Sequence, residues 1–111
     1  MDDSFSLDLA VDGATAVLAV GGEIDLHNAG ELSALGLQAL EQAEVATIVV
    51  DMTKLTFLDS TGVGALIQIR EKAVEGGREM YLRNVPARVS RVLTITGLDA
   101  TFDKRDSEAG A

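Results

Sequence analysis

Apolar and polar positions alternate from the start of the chain. Leu7, Leu9 and Val11 alternate with Asp8, Ala10 and Asp12, the two-residue period of a strand with one buried face. Asp12-Gly13-Ala14 has turn chemistry, and Ala16 to Val20 runs back as a second strand. The pattern therefore predicts a hairpin that ends at Gly21-Gly22. The period then changes. Leu32, Leu35, Ala39, Leu40 and Ala43 follow helical spacing. Asn28 with Glu31 after it reads as an N-cap whose partner reaches back. Gly36 lies within this helix at a cost of about 1 kcal/mol against Ala. Val45 to Val50 is apolar on both faces, predicting a central strand covered on both sides.

A second long helix is predicted over 60–74, with Val63, Leu66, Ile67, Arg70 and Val74 on its inner or flanking stripe and Gly76-Gly77 as its stop. Met80-Tyr81-Leu82 reads as a short strand. Asn84-Val85-Pro86 opens a third helix, since Pro is tolerated in a first turn. Val89, Val92, Leu93 and Thr96 face inward, and Gly97 closes it. Residues after Phe102 are polar and are expected to fray. Strands that alternate with helices after an opening hairpin predict an α/β fold, a mixed sheet flanked by helices. No repeat or low-complexity linker divides the chain, so one domain is expected over residues 1–111, with a core of about 5–103 and a polar tail over 104–111.

Composition narrows the function classes. The 111 residues are 47% hydrophobic but poor in aromatics, so the core must be built from Leu, Val, Ile and Ala. There is no Cys, which excludes disulfides and thiolate metal sites and is compatible with the cytosol. Met1-Asp2-Asp3-Ser4 has no basic leader, and no apolar run approaches ~20 residues, so neither a signal peptide nor a membrane span is expected. The formal net charge of −9 repels nucleic acid and anionic lipid and favours a partner with a basic face.

The chemistry-bearing stretch follows the central strand: Leu55-Thr56-Phe57-Leu58-Asp59-Ser60-Thr61-Gly62-Val63-Gly64. Asp59 and Ser60 stand where a helix begins. Ser60 fits a plain N-cap. It equally fits a phosphate site, because free N–H groups and the helix dipole favour an anion there. Gly62 and Gly64 leave the helix start bare enough for a partner's backbone to approach. Other chemistries fit poorly. A Ser-His-Asp hydrolase would need His27, the single histidine, beside Ser60, and Ser60 lacks the flanking glycines of a nucleophile elbow. Gly62 and Gly64 form neither a dinucleotide fingerprint nor a P-loop. Asp25, Asp51 and Asp59 read as loop ends or caps, so no metal is expected. A phospho-acceptor receiver domain would open with a strand–helix pair rather than a hairpin. The chain is thus expected not to be an enzyme.

Several stretches together resemble the STAS-domain family. Gly22-Glu23-Ile24-Asp25 is similar to its Gly-Glu-Leu/Ile-Asp turn. Ile48-Val49-Val50-Asp51 and Phe57-Leu58-Asp59-Ser60-Thr61-Gly62-Val63-Gly64 resemble its central strand and switch loop. Gly76-Gly77, Asn84-Val85-Pro86 and Val92-Leu93-Thr94-Ile95-Thr96-Gly97-Leu98 match its later part, so the resemblance covers about residues 5–103. It implies a STAS-like mixed four- to five-stranded sheet flanked by helices, and the role of a free-standing anti-sigma factor antagonist. Such a protein, unphosphorylated, binds an anti-sigma factor that is often a serine kinase, and so frees the sigma factor. Phosphorylation of the loop serine releases it, and a PP2C-type phosphatase resets it. By position Ser60 is the implied phosphorylation site and Thr61 a secondary acceptor. Asp25, Asp59, Ser60, Thr61 and Gly62 are the implied partner-binding residues, and no cofactor is implied. Two other roles of the family remain open: a subunit of a stress-signalling complex, and a nucleotide-binding or lipid-transport accessory module.

Overall fold

The computed structural model describes residues 5–106. They form β1 (Ser6–Asp12), β2 (Thr15–Ile24), α1 (Ala29–Leu40), β3 (Thr47–Leu58), α2 (Ser60–Glu75), β4 (Glu79–Arg83), α3 (Ala87–Ile95) and β5 (Asp103–Arg105). The five strands make one sheet in the order β1-β2-β3-β4-β5. β1 pairs antiparallel with β2, and every later neighbour is parallel. Parallel neighbours need crossovers, and right-handed crossovers that always advance in one direction put their helices on one face of the sheet. The core agrees. Alternate strand residues Ala16, Leu18, Val20, Ile48, Val50, Met52 and Leu82 join one apolar cluster with buried residues of all three helices.

Among the described residues the opposite face carries no helix, which corrects the expectation of a strand covered on both sides. Val49 is buried there but lies outside the core cluster. Its in-register neighbours on that face are Val17 and Tyr81, and the Arg105 guanidinium lies 3.9 Å from the Tyr81 ring centroid. A short apolar side chain in a central strand is hidden by its larger flanking neighbours without a second layer. Lower on the same face, Arg83 Nη2 stands 2.7 Å from Asp51 Oδ2. Asn84 donates to the Thr53 hydroxyl, which donates to Asp51 Oδ1.

Four element boundaries differ from the sequence pattern. β2 does not stop at Gly21-Gly22 but runs on to Ile24 through two irregularities in its pairing with β3. Glycine marks the bulge: Gly22 has φ of +79°, and a Cβ on Gly21 would stand 2.6 Å from the Ser6 hydroxyl. β3 begins at Thr47 and continues to Leu58, because Met52, Leu55 and Leu58 keep returning to the core after the bulges break strict alternation. α1 ends at Leu40, before Ala43. Residues 103–105 do not fray; they pair with Tyr81, Leu82 and Arg83 as β5. Three polar residues on an edge carry no hydrophobic period, so pairing alone reveals them. Residues 107–111 of the expected tail lie outside the described residues.

Within the helices the inner stripes also shift. In α2, Ile69 and Ala73 are buried while Val74 is exposed. In α3, Val89 and Leu93 are buried, and Thr96 is an exposed C-cap. Gly36 has a packing reason: a Cβ there would lie 2.5 Å from Ile69 Cδ1, so glycine lets α1 close on α2.

Candidate functional site

The two loops singled out in the sequence meet at one end of the sheet. β2 and β3 run parallel and end in register, Ile24 beside Leu58. The Asp59 N–H donates to the Ile24 carbonyl at 3.2 Å, which ties the second loop to the end of the first strand. Asp25 and Ser60 therefore leave neighbouring strands at the same end, though no hydrogen bond joins them among the described residues.

The first loop is held by Asn28, but not as a helix cap. Its side chain makes no capping bond to α1. Instead Oδ1 accepts the Asp25 N–H at 3.0 Å and Nδ2 donates to the Glu23 carbonyl at 3.0 Å. Asp25 closes its own turn by accepting the His27 N–H at 2.9 Å, and the His27 imidazole lies 3.4 Å from the same carboxylate oxygen. The Asp25 side chain remains 40% exposed. Between them Leu26 projects with 74% of its surface in solvent, and Phe57, next to Glu23 across the strand pair, is 41% exposed. Neither was marked by the periodicity. A lone apolar residue inside a polar turn was the available signal.

The second loop assigns the cap to Asp59 and not to Ser60. Asp59 has extended backbone angles, and one carboxylate oxygen accepts the N–H groups of Thr61 at 2.9 Å and Gly62 at 3.2 Å. The Thr61 hydroxyl donates to that same oxygen. A carboxylate accepts better than a hydroxyl and also faces the positive end of the helix dipole, so it takes the cap when both residues are adjacent. The Thr61 hydroxyl bond, helped by the two N–H groups and only partly opposed by burial, holds the Asp59 carboxyl below the usual carboxylate range.

Ser60 is thereby the first residue of α2. It is exposed, and its hydroxyl has no hydrogen-bond partner among the described residues. The neighbouring hydroxyls thus differ: Thr61's is engaged and half-buried, Ser60's is free. The expectation of free N–H groups for a phosphate needs correction as well. Those of Thr61 and Gly62 serve Asp59, and that of Val63 donates to the Asp59 carbonyl.

The glycines also separate. Gly62 is buried, and a Cβ there would lie 2.3 Å from Leu58 Cδ1 and 2.8 Å from Ile24 Cγ2. Its task is internal packing, not leaving room for a partner. Gly64 faces open space. The stretch from Glu23 to Glu31 and the residue Asp59 carry acidic side chains and no Lys or Arg. Among the described residues no group of three or more His, Asp and Glu is placed to hold a metal ion. No described helix is long and apolar enough to cross a membrane.

A loop serine at this junction, at the end of a mixed sheet with helices on one face, is the arrangement of a known family, and the family model described as "STAS domain" matches residues 6–111. The chain belongs to the STAS-domain family. Its domain is 32% identical over 79 residues to the anti-sigma-B factor antagonist of Staphylococcus aureus strain NCTC 8325, a match covering 71% of this chain and 72% of that protein. Among solved structures, it is similar to the anti-sigma factor antagonist SpoIIAA in its unphosphorylated form, with 27% identity, a TM-score of 0.79, and coverage of 96% of this chain and 90% of that one. It is also similar to the Bacillus cell fate determinant SpoIIAA in the phosphorylated form, with 26% identity, a TM-score of 0.73, and coverage of 96% and 95%. The sheet of this STAS domain has five strands, the upper figure of the expected range.

Proposed function

We propose that the chain is an anti-sigma factor antagonist whose binding is switched by phosphorylation of Ser60. The unphosphorylated protein binds an anti-sigma factor and so frees the sigma factor. That anti-sigma factor is itself a serine kinase, a PP2C-type phosphatase restores the free form, and the exchange takes place in the cytoplasm. The chain is then a substrate and a binding module, not an enzyme, and residues 1–111 act as one domain.

The carrying observation is the contrast between the two hydroxyls of the switch loop. Ser60 offers an exposed, unbonded hydroxyl at the first position of α2, whereas Asp59 holds that of Thr61. A kinase needs an acceptor oxygen that can turn toward ATP, and Ser60 meets that need without breaking a bond. The likeness to antagonists solved in unphosphorylated and phosphorylated forms supports the same reading.

Release follows from charge. A phosphoserine adds about −1.5 to −2 charges. It would stand beside Asp59 and on the same end as Asp25, Glu23 and Glu31. Repulsion from these carboxylates acts in the free protein as well as in the complex, so the release comes from the cost of stripping the water from a doubly charged group where Ser60 meets the partner. Because Asp59 already occupies the first N–H groups of α2, the helix start offsets little of this.

Incubation with the purified anti-sigma factor kinase of the source organism and ATP tests the assignment. Intact mass spectrometry should find one added phosphate on the wild type and on Thr61→Ala, and none on Ser60→Ala. Phosphate appearing on Ser60→Ala at the wild-type rate would remove Ser60 from the switch.

A further inference from the structure

We infer that the free edge of β1 is a self-association surface, where a second copy of this chain pairs antiparallel and joins two five-stranded sheets into one. The surface and its partner are both separate from those of the proposed switch.

The two edges of the sheet differ. β5 is three residues long, Asp103, Lys104 and Arg105, and each of them is charged. Shortness and charge are the usual guards that keep an edge from pairing with another chain. β1 runs for seven residues, pairs with β2 without a bulge, and holds neither Pro nor Lys. Among the described residues no strand lies on its outer side. A row of backbone N–H and C=O groups is therefore open there for a strand to bind. The side chains leave apolar surface as well. Leu7 and Leu9 are only partly buried and Val11 is 38% exposed, all on the side that carries the helices.

The strand that fits this edge is β1 itself. A two-fold axis perpendicular to the sheet relates antiparallel edge strands and keeps the helices of both copies on one side. The register centred on Leu9 uses all seven residues of β1. On the helix side it sets Leu7 against the partner's Val11 and Leu9 against the partner's Leu9. On the bare side it sets Asp8 against the partner's Ala10 and Ser6 against the partner's Asp12. No aspartate then faces an aspartate. Centring the pair on Asp8 would set Asp8 against the partner's Asp8, and centring it on Ala10 would set Asp8 against the partner's Asp12. Like charges directly opposite are destabilising. Apolar pairing, charge and overlap therefore agree on one register.

The Ser6 end of β1 lies beside Gly21, toward the end of β2 that leads to Asp25. Antiparallel joining thus sends the two Ser60 loops to opposite ends of the long sheet, away from the seam. The net charge of −9 on each copy opposes association, so salt that screens it favours the dimer. An interface held by opposite charges would respond to salt in the other direction.

Sedimentation equilibrium of the unphosphorylated protein alone tests this, at rising protein concentration and at low and high sodium chloride. Wild type, Ala10→Lys, Ala10→Asp and Ala100→Lys are compared. Wild type should show reversible monomer–dimer exchange that tightens with salt. Ala10 is exposed and meets the partner's Asp8 on both sides of the axis. At low salt Ala10→Lys should therefore tighten the dimer about 3- to 10-fold, and Ala10→Asp should weaken it by a similar factor. Both should melt within a few degrees of wild type, since the position is on the surface. Ala100→Lys makes the same change in net charge at an exposed turn before β5, at the other edge, and should tighten the dimer far less than Ala10→Lys. A wild type that stays monomeric at every concentration in high salt overturns the inference. So does a dimer that Ala10→Lys and Ala100→Lys tighten alike, or one that Ala10→Asp leaves unchanged, because the seam then lies elsewhere. The antagonist reading stands or falls separately, on phosphate incorporation at Ser60.

Discussion

Replacing Asp59 by Ala removes the acceptor of three hydrogen bonds at once: two from the backbone of Thr61 and Gly62 and one from the Thr61 hydroxyl. Loss of an N-cap costs about 0.5–2 kcal/mol, and the freed Thr61 hydroxyl is exposed enough to find water, so ~1.5 kcal/mol is expected. For a domain of this size that lowers the melting temperature by roughly 6–9 °C. Asp59→Asn keeps an acceptor oxygen but loses the charge facing the helix dipole, and should cost only about 0.5–1 kcal/mol. The gap between wild type and Asp59→Asn should also depend on pH. The folded protein holds the Asp59 carboxyl below its ordinary value, so the unfolded chain binds the proton first as pH falls. The contribution of the charge is complete above the ordinary carboxylate range and disappears as pH drops through the lower folded value. Thermal melts followed by circular dichroism at pH 7 and at successively lower pH measure both effects. Freeing the Thr61 hydroxyl has a functional consequence too: Asp59→Ala should accept some phosphate on Thr61 when Ser60 is also Ala. A melting temperature within a degree of wild type for Asp59→Ala, or an Asp59→Asn gap that widens toward acid, would refute the capping argument.

Asp25→Asn should melt within a few degrees of wild type, because its carboxylate serves a turn and not the core, while its binding to the anti-sigma factor or its phosphorylation rate falls; a large loss of stability with unchanged phosphorylation would make Asp25 structural. Ser60→Asp should bind the anti-sigma factor about 5- to 10-fold more weakly than wild type, because it brings one charge where phosphate brings nearly two; wild-type affinity in calorimetry would point to a steric release. Gly36→Ala should lose about 1–3 kcal/mol in urea titration despite its better helix propensity, since the new Cβ meets Ile69 at 2.5 Å; a stabilised variant would show that α1 and α2 separate at little cost.

Much of the fold was legible in the chain because period and turn chemistry are local. The β1–β2 hairpin, the three helices and the core run Ile48 to Val50 follow from spacing alone. So does the place of the candidate site, since Asp59-Ser60-Thr61-Gly62 stands between an apolar strand and a helical stripe and resembles a family loop. What pattern could not reach is decided by neighbours distant in sequence. β5 exists because β4 offers an unpaired edge to Asp103–Arg105. The one-sided covering of the sheet comes from the handedness of three successive crossovers, whereas an apolar run such as Val45 to Val50 reads the same under one layer or two. The site divides along the same line. Residue types marked Asp59, Ser60 and Thr61 together, but propensity allows either Asp or Ser as a cap. Only the folded loop shows Asp59 taking the N–H groups and the Thr61 hydroxyl, which leaves Ser60 free. In the same way four glycines look alike in the sequence. Ile69, Leu58 and Ile24 give two of them, Gly36 and Gly62, a reason in the core, whereas a Cβ on Gly30 or Gly64 would meet only open space.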